Sequence, residues 1–127
     1  MNQGRYVFTQ FFDLIDRNIF DRFVCQYKGD FRVKQFTCWE QFLTMSFAQL
    51  SFRESLRDIE CCLGSVQNKL YHSGIKSIVV KSTLAKANEN RSWEIYASLA
   101  GSLMKTAAPL YKGENKLSKE LESTVYA

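Results

Sequence analysis

The sequence predicts an all-α fold: a compact multi-helix domain containing a helix-turn-helix-like unit, then a polar linker and a strand-like tail. Three observations predict it. Apolar side chains recur at the three- and four-residue spacing of a helix face through most of the chain. Hydroxyl residues stand three positions before an acid at Thr37–Glu40 and Ser51–Glu54, the spacing of a capping box. Gly29, Gly64, Gly74 and Pro109 fall where the periodic runs end. With 127 residues, 46% of them hydrophobic, the chain is long enough to bury its own core and too apolar to be disordered.

Taken in order, Phe8, Phe11, Phe12 and Ile15 trace one face of a first helix. Phe20, Phe23, Val24 and Tyr27 trace a second, ended by Gly29, and the two could also be one helix bent near Asp16 to Asn18. Lys28, Arg32 and Lys34 follow, interleaved with Tyr27, Phe31 and Phe36. That segment reads as a solvated loop over the core, with a phosphate contact as the alternative. Thr37 then caps a helix carrying Trp39, Phe42, Leu43, Ser46, Phe47 and Leu50 on one stripe. Ser51 starts the next, with Leu56, Ile59 and Leu63 inward, and Gly64 stops it. Val66 and Leu70 suggest a short helix closed by Gly74, and the β-branched run from Ile75 leads extended into Lys81. This order resembles a helix-turn-helix with an enlarged connection, since the strict motif turns in about three to four residues. The last helix begins near Ser92, with Trp93, Tyr96, Ala97, Ala100, Leu103, Met104 and Ala107 on one broad face, and ends at Pro109. Beyond Gly113 the composition turns polar, and Leu121 to Ala127 turns strand-like.

The formal net charge of +4 is unevenly placed. From Cys61 to Asn88 there is no acid, while Lys69, Lys76, Lys81 and Lys86 lie inside that stretch. Such asymmetry points to an anionic partner for one face. No run is long enough to cross a membrane, and charges at Arg5, Asp13, Asp16 and Arg17 argue against a secretory signal, so a cytoplasmic protein is expected. Cys25, Cys38, Cys61 and Cys62 form no Cys-x-x-Cys pair, and His72 has no partner at metal-ligand spacing. The cysteines are expected to be buried free thiols, with no metal and no disulfide.

The stretch from Lys81 to Arg91 organises the functional expectation. It reads as a short helix in which Ser82 or Thr83 is the N-cap. Leu84, Ala87 and Arg91 share one side, while Thr83, Lys86 and Asn90 share another at i, i+3 and i+7. A hydroxyl, an ammonium and an amide on one face suit contact with phosphates and base edges; they equally suit an ordinary solvated face. Lys81 and Lys86 are expected on phosphates, Asn90 on an adenine edge, and Ser82 or Thr83 where the helix N-terminus meets a phosphate. Arg91, Lys76, Lys69, Arg53 and Arg57 are second-rank candidates, the last two also able to balance Glu54, Asp58 and Glu60.

Phe36-Thr37-Cys38-Trp39, Phe47-Ala48-Gln49-Leu50, Arg53 to Glu60, Ser82-Thr83-Leu84-Ala85 and Ala87-Asn88-Glu89-Asn90-Arg91 resemble the N-terminal region of bacterial insertion-sequence transposases of the DDE, RNase H-like type. The resemblance covers essentially the whole chain. It implies a DNA-binding domain over residues 1–112, then over 113–127 a linker and the start of a catalytic domain. In that family the Thr-Val-Tyr-Ala strand leads into the first of three metal-binding carboxylates, and this chain stops at Ala127 before it. The family resembles magnesium-dependent enzymes, whereas this stretch is expected to have no catalytic residue, no metal and no cofactor of its own. The function so implied is binding of double-stranded DNA at the terminal inverted repeats of an insertion element, without a membrane or small-molecule substrate. The alternatives are a helical dimerisation module built on the Trp93 to Ala107 face, and a short product that occupies the ends and inhibits transposition.

Overall fold

The computed structural model describes residues 7–71, 74–76 and 78–111, apart from the side chains of Val7, Thr9, Lys69 and Tyr111. These are all-α: α1 (Val7–Phe12), α2 (Arg17–Gln26), α3 (Cys38–Leu50), α4 (Leu56–Leu70), α5 (Lys81–Asn90) and α6 (Trp93–Ala107), with a 3₁₀ turn at Ala108–Tyr111. The expected linker and strand-like tail at 113–127, and His72, lie outside the described residues. The chain forms two compact units, Met1–Ser92 and Trp93–Ala127.

In the first unit α1 and α2 are separate helices. Asp16 caps α2 by accepting from the Asn18 amide at 2.9 Å. Both lie against α3 through rings: Phe8 meets Phe47 at 5.3 Å, Phe12 meets Phe42 at 5.5 Å and Phe20 meets Trp39 at 5.1 Å between centroids. Edge-on pairs of this kind add about 0.5–1.5 kcal/mol each beyond burial. Arg17 extends the stack, its guanidinium 4.5 Å above the Trp39 ring. The expected aromatic core is therefore real, although Phe11 and Leu50 on the predicted stripes are exposed. The core continues through Leu43 and Ala48 to Ile59, Leu63 and Leu70 of α4, Ile75 and Val79 of the connection, and Leu84 and Ala87 of α5.

Three helix boundaries differ from the sequence expectation, each for a local reason. The first is at α2, where Lys28 rather than Gly29 takes the left-handed position, with φ 53°. The amides of Lys28 and Gly29 return to the carbonyls of Cys25 and Val24 at 3.3 and 2.9 Å, a Schellman closure. The second is at Ser51, which caps the C-terminus of α3 and does not start α4. Phe52 is left-handed at φ 58°, and Arg53 donates back to Ala48 at 2.9 Å. The chain thus cannot turn helical again until Ser55, whose hydroxyl accepts from Asp58 at 3.1 Å. The third is at Gly64, which does not stop α4. Ile59, Leu63, Val66 and Leu70 continue one stripe across it, and their burial outweighs the roughly 1 kcal/mol that a mid-helix glycine costs. One long helix and the connection Tyr71–Val80 thus replace the expected Gly-marked turn and short helix. α4 and α5 still pack together, so the helix–connection–helix order survives without the tight turn of the strict motif.

In the second unit α6 spans the residues expected. Its buried residues are Ile95 and Leu99, whereas Trp93, Ala97 and Leu103 of the predicted face are exposed. Glu94, Ser98, Ser102 and Lys105 share one polar stripe, yet the two buried residues, Ile95 and Leu99, lie off the face that the spacing picked out. Pro109 falls in the 3₁₀ turn. Of the four free cysteines only Cys38 is buried; Cys25 and Cys61 are exposed, which corrects the expectation of buried thiols. Among the described residues no helix is long and apolar enough to cross a membrane.

Candidate nucleic-acid interface

α5 owes its position to contacts from both neighbours. Leu84 and Ala87 enter the core, as the spacing predicts. The N-terminus corrects the expectation: Val80 is the N-cap, with no side-chain cap, and Ser82 and Thr83 already lie inside the helix. The Glu60 carboxylate of α4 accepts the Lys81 amide there. A carboxylate at a helix N-terminus is electrostatically well placed and opposes a phosphate at the same spot. Ser82 and Thr83 are therefore not the N-cap that the sequence suggests.

The other end carries a polar strut that the sequence does not announce. Arg91 was a contact candidate, yet its guanidinium is engaged inside the domain. Nη1 donates to Gln41 Oε1 at 3.2 Å, Nη2 donates to the Phe36 carbonyl, and the group lies 5.5 Å from the Phe36 ring centre. Gln41 is buried in α3, and its Nε2 donates to Asn88 Oδ1 at 2.8 Å. These bonds clamp α5 to α3 and set the direction of its exposed face.

That face is Thr83, Lys86 and Asn90, all exposed, as the i, i+3, i+7 spacing predicts. Opposite it runs the loop after α2, so that Tyr27, Lys28, Gly29, Phe31 and Val33 form the second wall of an open groove of about 530 Å³. Arg91 and Ser92 close one end of the α5 wall. Lys28, Lys86 and Arg91 bring three cations to this groove, and among the described residues no carboxylate lines it. Loop and groove are tied to α3, since Asp30 accepts the Cys38 amide at 2.8 Å.

The structure thus brings together Thr83, Lys86, Asn90 and Arg91, and adds Lys28 and Phe31, which spacing placed only in a connecting segment. The signal available was the alternation of cations and rings from Tyr27 to Phe36. The remaining candidates stand apart from the groove. Lys81 and Ser82 are exposed at the other end of α5, Lys76 is exposed in the connection, and Arg57 is exposed on α4. Arg53 faces Asp58 at 3.6 Å, the balancing role foreseen as its alternative. Lys69 lies in the last turns of α4, with its side chain outside the described residues.

The domain is thus helical, with a groove whose described lining includes Lys28, Lys86 and Arg91. By sequence the chain belongs to a family defined so far only as a domain of unknown function, DUF4372, whose model matches residues 3–76. That stretch contains α1 to α4 and the loop wall of the groove, and ends before α5. No curated protein and no solved structure matches the chain.

Proposed function

We propose that this chain is a DNA-binding domain of an insertion-sequence transposase, acting in a bacterial cytoplasm on the double-stranded ends of its element. The observation that carries the reading is the convergence of Lys28, Lys86 and Arg91, from two separate stretches of sequence, on a groove with no carboxylate among its described lining residues. Lys28 and Lys86 contact phosphates as mobile point charges. Asn90 offers the amide that pairs with an adenine edge, and Thr83 a hydroxyl beside it. Arg91 contributes charge from a fixed position, and its main duty is to hold α5 in place. The resemblance of the motifs to DDE transposases supplies the biological setting.

The test is fluorescence anisotropy on duplexes selected from a random pool, over a salt series. Lys28→Ala and Lys86→Ala should each reduce the log–log salt slope by about 0.9 and weaken all sequences alike. Asn90→Ala should cost about 1–3 kcal/mol on the selected site and little on shuffled DNA. If Lys28→Ala and Lys86→Ala both titrate like the parent, the groove is not the DNA interface. The exposed Trp93, with 73% of its surface accessible, favours a second reading in which α6 takes part in self-association. Sedimentation of the parent and Trp93→Ser would separate the two.

A further inference from the structure

We infer that the groove between the loop after α2 and α5 takes a single unpaired nucleotide, beyond the duplex contact proposed above, on which this inference rests. A helix reads a duplex by protruding into its major groove, which is about 12 Å wide. Here the polar face of α5 is one wall of an open groove, and the loop after α2 is the other. A duplex meets such a groove at its rim, within reach of Asn90, and a single unpaired nucleotide can pass further in. Its volume of about 530 Å³ is of the order of small-molecule sites, roughly 300–1,000 Å³, and suits one base with its sugar and phosphate.

The lining chemistry matches the parts of a nucleotide. Phe31 keeps 67% of its surface exposed and carries the Arg32 guanidinium 5.2 Å from its ring centre, so the ring is a platform already paired with a cation. Base–aromatic stacking of this type tolerates any base and is reinforced by arginine. Lys28 and Lys86, one on each wall, offer ammonium groups to a phosphate, and the Asn90 amide can both donate to and accept from a base edge. The loop's backbone is fixed: the closure of α2 sets Lys28 left-handed at φ 53°, and Asp30 accepts the Cys38 amide at 2.8 Å.

The probe is a duplex carrying one extrahelical 2-aminopurine, compared with the fully paired duplex of the same length. The parent should bind the bulged duplex about five- to hundredfold more tightly, the range expected for one stacked base, with a change in 2-aminopurine emission on binding. Phe31→Leu should abolish both the preference and the emission change while keeping its affinity for paired DNA. Phe31 is exposed, so this variant should retain the parent's helical circular dichroism. Lys86→Ala should weaken both duplexes together. Equal affinity for the two duplexes without an emission change overturns the inference and leaves the duplex reading standing. A preference that survives Phe31→Leu overturns it as well, because the base is then held elsewhere. Failure to bind either duplex overturns the DNA-binding proposal itself.

Discussion

Arg91 separates structural from ligand-binding roles most sharply, because the sequence offers it as a DNA contact and the structure makes it a strut. Arg91→Ala removes the donors to Gln41 Oε1 at 3.2 Å and to the Phe36 carbonyl. Gln41 is 4% exposed, so its orphaned oxygen stays largely out of reach of water. A hydrogen bond to a charged group contributes about 1.5–3 kcal/mol, and a buried acceptor left empty costs about 1–3 kcal/mol. These terms overlap, since the same bond enters both, and the half-buried guanidinium already loses part of its strength to solvent. A net loss of about 2–3 kcal/mol follows. For a unit of this size, about 4–8 °C of melting temperature per kcal/mol makes the shift roughly 8–24 °C. Urea unfolding followed by helical circular dichroism should show a lower midpoint with an unchanged slope. Gln41→Leu in the Arg91→Ala background should restore part of the loss, giving a coupling energy of about 1–2 kcal/mol in the double-mutant cycle. An Arg91→Ala protein that melts within about 0.5 kcal/mol of the parent but no longer binds DNA would refute this reasoning and return Arg91 to the ligand.

Backbone geometry gives two further expectations. Phe52→Gly should stabilise the domain by about 0.5–1 kcal/mol: the ring is 88% exposed and holds a left-handed φ of 58° that glycine adopts freely. A loss of stability would mean that the ring packs on something. Gly64→Ala and Gly74→Ala should move in opposite directions. At Gly64 a Cβ meets nothing within 4 Å inside a helix, so alanine should add about 0.5–1 kcal/mol. At Gly74, with φ 112° and Leu43 Cδ1 3.0 Å from the new Cβ, alanine should cost about 1–3 kcal/mol. Chemical denaturation of the pair checks both, and a common sign would contradict the local geometry.

What could be read in advance divides by range. Thr37 capping α3, the aromatic faces of α1 and α2, and the shared face of Thr83, Lys86 and Asn90 depend on neighbours within a few residues, and periodicity or a cap residue records them. Ser51 and Gly64 carried the right chemistry for a start and a stop, but competing demands of the adjoining helix decided against each. Ser51 belongs to the closure of the preceding helix, and Gly64 lies under a stripe that buries apolar residues on either side of it. The site shows the same division more strongly. Arg91 meets Gln41 across 50 residues, and Lys81 meets Glu60 across 21, so no spacing rule could assign either partner. One consequence bears on function. The positive groove is assembled by buried polar bonds rather than by the acid-free run of lysines alone: four lysines occur in that run, and Lys86 is the one among the groove's lining residues. The complementary lysine, Lys28, comes from a stretch whose charges nearly balance in sequence. Its backbone is fixed by the closure of α2 and by the Asp30 bond to α3. Charge asymmetry along the chain therefore pointed to only one of the two walls. Its counterpart exists because Gln41, Arg91 and Asp30 hold two distant segments face to face.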